Sequence, residues 1–528
     1  MSTLTFWNDS VAMPHFPKLD RDLSVDVVVV GGGIAGVTTA YLLAKQNRKV
    51  VLLERNQLGQ GETGRTSAHV SDALDDGYKE LIRLHGKSAA RLMAESHRAA
   101  IEDIAAYASA EGIDCDLERV PGYLFLREGD DVSILHDECV VTKSLGMHTK
   151  IIQGVPGLAA AQGPCLQYDG QLQFHPLKYL KGLIEAFQKL GGQVFADSAV
   201  ESFHEDGVET RDHFRVKARF TVVATNSPVN GPVAIHTKQA AYRSYMIGLE
   251  VPHGTTLPAL YWDTPDETGA YHYARMQKLN DDFDLLLVGG EDHRTGQSDS
   301  DTDKTVLQRY EALEAWAREY FPKAQSLLYR WSGQVLEPVD GAAFIGQHPG
   351  MGENVYVITG DSGHGLTHAT LGAKLITDLI LGRANFWQDV YDPSRIRLKA
   401  SVEFFKENLN TAKQYADLVS PGDIHSIFNL RPGEGAILRE GLSQYAVYKD
   451  DEGRAHAFSA VCPHLGGIVH WNEGEKSFDC PCHGSRFDCY GKVIDGPANS
   501  DLKPCELTIP SRPAPDYRPH VPTNDQGN

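Results

Sequence analysis

The chain has 528 residues, of which 41% are hydrophobic and 23% charged, a globular composition with room for roughly two to four domains. Its formal net charge of −20 argues against nucleic acid and anionic membranes as partners, because both are bound through basic surfaces. No apolar run reaches the roughly 20 residues of a membrane span and the N-terminus does not resemble a signal peptide, so a cytoplasmic location is expected.

After an N-terminal arm of residues 1–24, the chain begins with a nucleotide-binding pattern. Residues 25–30 are apolar except for Asp26 and predict a buried parallel strand; a G-x-G-x-x-G turn, an amphipathic helix and a second apolar strand follow. The glycines permit a tight turn, close approach of a pyrophosphate and close packing of helix on strand, and the helix N-terminus attracts the anion. The acid that ends the second strand suits ribose hydroxyls. The residues assigned to this site are Gly31, Gly33, Ile34, Ala35, Gly36 and Glu54.

Two later stretches favour a flavin dinucleotide. The first, "RNQLGQGETGRTSAHV", follows the second strand directly, and the second, residues 354–382, is another strand, glycine-rich turn and helix. That turn can bind a ribityl chain, and its helix start can face the anionic edge of a flavin. The residues assigned from these stretches are Arg55, Gly64, Arg65, Thr66, Ser67, Gly360, Asp361, Gly363, His364, Gly365, Leu366 and Thr367.

Seven pieces then occur in order across residues 25–385: "VVVVGGGIAG", "GETGRTSAHV", "FHPLKYLKGLIEAF", "TVVATNSP", "YRSYMIGLEVP", "WSGQVLEPVDGAAFIG" and "GDSGHGLTHA". Together they resemble the D-amino-acid-oxidase-like (DAO) FAD-dependent oxidoreductases. The resemblance implies an FAD domain interleaved with a mostly antiparallel substrate domain, and it places Val200 and Ala224 at the FAD. The FAD-binding segments would be about 25–75, 156–235 and 341–385, and the substrate segments about 76–155 and 236–340.

Five of the eight cysteines lie after residue 460, which indicates a reducing compartment and a local metal site rather than a disulfide framework. The spacing is Cys462-x-His464, fifteen residues, then Cys480-x-x-His483, a ligand set that suits either structural zinc or a Rieske 2Fe–2S cluster. The surrounding "CPHLGG", "CPCHGSRFD" and "GPANSDL" resemble the two cluster loops and the proline loop of Rieske proteins. The resemblance implies a Rieske β-domain over residues 423–510 with those four ligands.

Two positions depart from the high-potential Rieske pattern. Gly467 stands where a disulfide partner of Cys482 would be, so Cys482 is expected to be a free thiol. Phe487 replaces a tyrosine that would hydrogen-bond a ligand sulfur. Because fewer hydrogen bonds stabilise the reduced cluster less, we expect a potential in the lower half of the Rieske range of about −150 to +300 mV.

The complete fold class expected is α/β plus all-β: a Rossmann-like FAD domain interleaved with an antiparallel-sheet substrate domain, followed by the small Rieske β-domain. Residues 386–422 are expected to form a helical linker, and the polar, proline-rich residues 511–528 a disordered tail.

Candidate catalytic residues lie on two predicted substrate-sheet strands. Tyr271, Tyr273 and Arg275 alternate and therefore share one face of their strand, and Arg243 and Tyr245 lie on another. Aromatic rings with an arginine suit an amine or amino-acid substrate, although a ladder on a sheet surface is an equal alternative.

A competing pattern, Asp361-x-x-His364-x-x-x-His368, is similar to the site of mononuclear iron oxygenases. The histidine spacing is one residue short, the order of modules is reversed, and the flavin-binding turn already explains the stretch. The iron alternative is therefore disfavoured.

The main hypothesis is an FAD-dependent dehydrogenase of C–N bonds, with a small amine or amino-acid substrate. Hydride would pass to FAD, and a Rieske cluster would deliver electrons singly to an external acceptor. One alternative is a reductase component that runs from an electron donor through FAD to iron–sulfur, but the chain has no second G-x-G-x-x-G for NADH. The other is a redox sensor that binds both cofactors without turnover.

Overall fold

The structure is a computed structural model that describes residues 4–229, 235–266, 270–297, 304–396 and 422–507. The predicted tail and most of the predicted helical linker lie outside these ranges. The chain forms an N-terminal unit of two large sheets with helices and a C-terminal unit of two small sheets. In chain order the elements of the N-terminal unit are α1 (Phe6–Ser10), β1 (Leu23–Val30), α2 (Ile34–Lys45), β2 (Val50–Leu53), β3 (His69–Val70), α3 (Gly77–His85), α4 (Lys87–Glu111), β4 (Glu118–Phe125), α5 (Ser133–Ser144), β5 (Thr149–Gln153), β6 (Pro164–Gln173), α6 (Pro176–Lys189), β7 (Gln193–Phe195), β8 (Val200–His204), β9 (Gly207–Thr210), β10 (Arg215–Val223), β11 (Gln239–Pro252), β12 (Leu260–Asp263), β13 (Tyr273–Lys278), β14 (Phe283–Arg294), α7 (Val306–Tyr320), β15 (Leu327–Pro338), β16 (Phe344–Gln347), β17 (Val355–Thr359), α8 (Gly365–Ile380) and α9 (Gln388–Tyr391).

The first sheet carries the predicted nucleotide-binding strands in the order β16-β17-β10-β1-β2-β7, and β8 and β9 extend it beside β10. The central strand β1 pairs in parallel with β2 and β10, and its residues Val27 to Val30 are buried. A strand covered on both faces needs apolar side chains throughout, which explains the continuous valine run. Helices α2, α6 and α8 pack together on this sheet, and α2 begins directly after the glycine-rich turn. The predicted buried parallel strand is confirmed.

The second sheet has the order β15-β11-β14-β13-β12-β4-β6-β3, with β5 beside β6. Its pairs are antiparallel except for β12 with β4. Strand β6 belongs to this sheet, although the sequence places residues 156–235 with the FAD-binding part. One face of β11 packs under α7, where Tyr245, Ile247 and Leu249 join a core with Leu313. The side chains on the opposite face of β11 therefore point toward the first sheet.

A bulge interrupts the pairing of β11 with β14. Arg243 pairs with His293 and Tyr245 pairs with Gly290, so two residues of β14 stand opposite one residue of β11. A bulge of this kind bends the strand and re-aims a side chain. Glycine is required beside it, since a side chain at Gly289 would overlap the Tyr273 ring. The bulge therefore makes room for an aromatic ring on the inner face.

The C-terminal unit is all β, as predicted. Its strands are β18 (Gly435–Glu440), β19 (Ser443–Lys449), β20 (Ala455–Ser459), β21 (His470–Asn472), β22 (Ser477–Asp479), β23 (Arg486–Asp488) and β24 (Val493–Asp495). They form one sheet of β18-β19-β20 and another of β21-β22-β23-β24, both antiparallel. Phe478 and Phe487 are fully buried in the small core between them.

A buried network of charges joins the two units. Arg243 of β11 donates to Glu475 at 2.8 Å, and Arg486 contacts both Glu475 and Asp479. Burial alone would raise the pKa of Glu475, but Arg243 and Arg486 lower it to about 2. Removing one partner of such a buried pair leaves an uncompensated charge, at a cost of about 3–5 kcal/mol. The network therefore holds the C-terminal unit in one position on the N-terminal unit.

Candidate functional site

A cavity of about 790 Å³ lies between the glycine-rich turn of the first sheet and the inner face of the second sheet. This volume falls within the usual range for cofactor and ligand sites. Strand β11 contributes Tyr242, Ser244 and Met246, while β1 and the turn after it supply the opposite wall. The cavity is thus formed where the two sheets of the N-terminal unit meet.

The glycine-rich turn has the geometry that a pyrophosphate requires. Gly31 has a φ of +112°, and a side chain there would overlap the Ala224 carbonyl oxygen. A side chain at Gly36 would overlap the carbonyl oxygen of Gly31, so the helix could not pack this closely on the strand. Glu54 accepts hydrogen bonds from the backbone N–H groups of Gly32 and Asn56, at 2.6 and 2.8 Å. These bonds fix its carboxylate at the cavity edge, where the ribose is expected.

Most residues assigned to the flavin line this cavity. They are Gly31, Gly33, Ile34, Ala35, Glu54, Arg55, Arg65, Thr66, Ser67, Val200, Ala224, Asp361, Gly363, His364, Gly365 and Leu366. The remaining four stand behind the wall. A side chain at Gly36 or Gly64 would overlap backbone, Gly360 holds a φ of +73°, and Thr367 Oγ1 lies 2.8 Å from His97 Nδ1.

Polar side chains from the loops before α3, β13 and α8 meet at one end of the cavity. His364 Nε2 lies 2.8 Å from Asp75 Oδ1, and the Tyr271 hydroxyl hydrogen-bonds the same carboxylate. Burial alone would lower the pKa of His364, but the Asp75 carboxylate raises it. Carboxylates also line this end at Asp76, Asp292 and Glu337. The wall is therefore aromatic and acidic.

Asp292 enters the cavity because of the bulge. The Tyr273 hydroxyl lies 2.8 Å from Ser244 Oγ, and Ser244 in turn hydrogen-bonds Asp292. The second carboxylate oxygen, Oδ1, is buried and has no hydrogen-bond partner among the residues that the structure describes. Burial raises the pKa of Asp292 to about 7. This carboxyl group can therefore exchange a proton near neutral pH.

The five candidate catalytic residues fall into two groups. Tyr271 and Tyr273 line the cavity, with ring centroids 5.6 Å apart. Arg275 lies behind them and donates to the carbonyl oxygens of Ala68 and Phe174, at 2.7 and 3.1 Å.

Arg243 and Tyr245 occupy the opposite face of β11. Arg243 belongs to the charge network between the units, and the Tyr245 hydroxyl lies 2.8 Å from His293 Nε2. Side chains alternate along a strand, so their neighbours Tyr242, Ser244 and Met246 face the cavity instead. The structure thus brings the two tyrosines together and leaves the three other candidates outside the wall.

Sequence reasoning missed Ser244, Asp292 and Asp75. Ser244 could have been found by reading the alternation of β11 in the other register. The glycine pair of "LLLVGGEDHR" was a signal for a bulge, because glycine inside a strand marks such sites. Asp75 lies in a loop and carried no local signal.

The residues of the mononuclear-iron pattern have other partners. His368 Nδ1 lies 2.8 Å from the Asp361 carbonyl oxygen, to which it donates, and His368 Nε2 lies 3.2 Å from His97 Nε2. The Asp361 carboxylate accepts from the backbone N–H of Leu336 at 3.2 Å, while His364 pairs with Asp75. These contacts anchor the turn before α8 and hold its side chains in different directions.

The four predicted cluster ligands come together at the edge of the C-terminal unit. Cys462 and Cys480 are buried and their thiols are within hydrogen-bonding distance of each other. The His464 and His483 rings stand side by side, with centroids 5.1 Å apart. Each cysteine opens a tight loop: the backbone N–H of Cys462 donates to the Gly467 carbonyl, and that of Cys480 to the Ser485 carbonyl, both at 2.8 Å.

The arrangement suits a two-iron cluster. Two thiols form one pair and two imidazoles another, as a Rieske centre requires for its two irons. His483 Nδ1 is buried without a hydrogen-bond partner in the described part of the chain, which suits a nitrogen that binds iron. Across the described ranges, no three or more His, Cys, Asp or Glu side chains are grouped so that they could hold a single ion.

Two further features belong to the cluster site. Ser485 Oγ accepts the backbone N–H of Ala498 at 3.1 Å, which ties the second cluster loop to the proline loop. Cys482 is a free cysteine, and a side chain at Gly467 would stand 3.3 Å from Cys480 Sγ and closer still to Cys482 Sγ. Glycine therefore leaves the space that the Cys482 thiol fills.

The two sites are neighbours. Ile494, Asp495, Gly496 and Asn499 of the C-terminal unit line the same cavity as the glycine-rich turn. Arg55, which follows Glu54, donates to the Ile494 carbonyl oxygen at 3.0 Å. The cavity can hold a dinucleotide, tyrosines of the second sheet form one of its walls, and the unit with the cluster ligands closes it. These features define a flavin-dependent oxidoreductase with an attached iron–sulfur centre.

Family comparison agrees with this class. The family model described as FAD dependent oxidoreductase (DAO) matches residues 26–379, and the model of the Rieske [2Fe-2S] domain matches residues 426–506. The chain belongs to the DAO family of FAD-dependent oxidoreductases and ends in a Rieske domain. It is an enzyme, and its cofactors are FAD and a Rieske 2Fe–2S cluster, as the sequence predicts.

Similar proteins have one or both modules. The chain is 32% identical over 514 residues to the "Putative Rieske 2Fe-2S iron-sulfur protein YhfW" of Bacillus subtilis (strain 168), covering 95% of this chain and 97% of that one. It is 26% identical to the gamma-glutamylputrescine oxidoreductase of Escherichia coli (strain K12), over 70% of this chain and 86% of that one. Glycine oxidase from Geobacillus kaustophilus shares the fold, with a TM-score of 0.59 at 16% identity over 71% and 99% of the two chains. In the described ranges, no helix combines the length and apolarity of a membrane span.

Proposed function

We propose that the chain oxidises a C–N bond of a small amine and passes the electrons to its Rieske domain for an external acceptor. The observation that carries this proposal is one continuous cavity that includes the dinucleotide turn, a tyrosine wall with the Asp292 carboxylate, and residues of the Rieske domain. When bound, FAD would supply hydride acceptance and the cluster would supply one-electron transfer.

The charge of the cavity favours an amine over an amino acid. Acids line it at Glu54, Glu62, Asp75, Asp76, Glu80, Asp292, Glu337, Asp361 and Asp495. The arginines of the wall, Arg55 and Arg65, donate to the carbonyl oxygens of Ile494 and Ser332. Arg275, the sequence candidate for a carboxylate partner, is held by two other carbonyls. Burial raises the pKa of several of these acids, that of Glu62 to about 8, so the cation is attracted by the aromatic rings and by the carboxylates that stay ionised. A substrate carboxylate would meet no free arginine among the described residues of the wall.

Asp292 gives the cavity a way to neutralise the amine. An ammonium group has no lone pair to support loss of a hydride, so it must first lose a proton. Asp292 Oδ1 has no competing partner among the described residues, and its pKa of about 7 suits a group that accepts a proton near neutral pH. Ser244 hydrogen-bonds the carboxylate, and the Tyr273 hydroxyl holds the Ser244 side chain in place. The two tyrosine rings position the substrate and exclude water.

The relatives support the same chemical class. A gamma-glutamylputrescine oxidoreductase is an amine-oxidising protein by name, and its module matches most of this chain. The position of Rieske residues in the cavity wall supports an internal path for electrons. The reductase alternative has no comparable observation behind it.

An anaerobic substrate screen tests the proposal. The purified chain is mixed with mono-, di- and polyamines, with amino acids and with NADH, while flavin absorbance and the cluster EPR signal are followed. We expect flavin bleaching and then cluster reduction with an amine. Bleaching by NADH alone would establish the reductase alternative, and no response to any donor would favour the sensor.

A further inference from the structure

A residue of the N-terminal, FAD-binding unit covers the two ligand histidines of the cluster site. His236 lies in the short 3-10 turn His236–Lys238 before β11 and is 4% exposed. Its ring centroid lies 4.9 Å from that of His464 and 5.8 Å from that of His483, and both rings are met edge to face, at 69° and 68°. One side chain therefore touches both imidazoles that would bind the second iron.

The second cluster loop packs against the same N-terminal unit. A side chain at Gly484 would overlap Ala241 of β11, and a side chain at Gly296 would stand 2.7 Å from the backbone nitrogen of Pro481. The buried network of Arg243, Glu475 and Arg486 begins beside this contact. The position of His236 over the two imidazoles is therefore fixed by several contacts and does not depend on one side chain.

We propose that His236 is a positioning residue of the cluster, so that the FAD-binding unit completes the Rieske site. The ring fixes the planes of the two ligand histidines and excludes water from their outer edge. A ring nitrogen of His236 is held by the Pro228 carbonyl, which keeps the ring in place. The apolar surroundings and solvent access of an iron–sulfur site set its potential. A reduced Rieske cluster carries one more negative charge than the oxidised form, and water stabilises that charge. Cover by His236 therefore lowers the potential.

The test compares His236→Ala and His236→Phe in the full chain, with His213→Ala as control because the side chain of His213 is 81% exposed. In His236→Ala we expect unchanged FAD content, altered g values of the reduced cluster, a higher midpoint potential, and loss of iron to a chelator about tenfold faster. His236→Phe keeps a ring over both ligands and should restore the parent potential. Parent spectrum and parent potential in His236→Ala would overturn the proposal.

A folding defect would be recognised by loss of FAD as well as iron. In that case His236→Asn, which keeps a donor for the Pro228 carbonyl but removes the ring, replaces the alanine variant. The same shifts in g values and potential are expected with FAD retained, and a parent-like cluster in this variant would equally overturn the assignment.

Discussion

Replacing Asp292 by Asn removes the carboxylate that we propose accepts the amine proton, and asparagine keeps the shape and the contact with Ser244. A group with a pKa of about 7 is about 10% ionised at pH 6 and about 90% ionised at pH 8. General-base catalysis contributes about 10² to 10⁴ in rate. We therefore expect a loss of about 100-fold or more at pH 8. Between pH 6 and pH 8 the ratio of parent to variant rates should grow about tenfold, because only the parent gains a base.

The assay is anaerobic stopped-flow bleaching of the flavin by the amine that reacts fastest in the screen. Protonation of the free amine affects parent and variant alike, so their ratio isolates Asp292. The control is Asp281→Asn, whose side chain is 98% exposed. A ratio near one, or a ratio that stays constant from pH 6 to pH 8, would refute the role of Asp292 while leaving the cofactor assignments intact.

Arg243→Ala should lower the free energy of unfolding of the joined units by about 3–5 kcal/mol, because Glu475 loses a buried partner. Thermal unfolding followed by cluster absorbance measures this loss. The control is Arg21→Ala, which removes an exposed side chain and should have no effect. Gly467→Ala should weaken iron retention, since the added methyl group overlaps Cys482 Sγ, and iron content equal to the parent would contradict the packing described. Phe487→Tyr should raise a midpoint potential that lies in the lower half of about −150 to +300 mV, and a parent value near the top of that range would contradict the expectation.

Local motifs carried most of what the sequence could predict. The glycine turn and the four cluster ligands are each set within a short segment, so their spacing and the residues around them identify them. The register of β11 is different, because nothing within "YRSYMIGLE" shows which face meets the cavity and which meets α7. Arg243 was chosen as a substrate residue, whereas its side chain joins the charge network between the units.

Contacts between distant segments account for what sequence reasoning could not reach. Asp292 enters the cavity only because a bulge shifts β14 against β11. His236 meets His464 only when two units fold against each other, and these residues are more than 200 positions apart in the chain. Patterns of hydrophobicity and spacing describe one segment at a time and do not contain such juxtapositions.

The wall that Ile494 to Asn499 add to the cavity has a consequence for how this enzyme can diversify. A substitution in the proline loop changes the wall of the FAD cavity as well as the cover of the cluster. We therefore expect that replacing the Rieske domain by a homologous domain would also change this wall of the cavity. Two modules that are separate in sequence thus share one cavity wall.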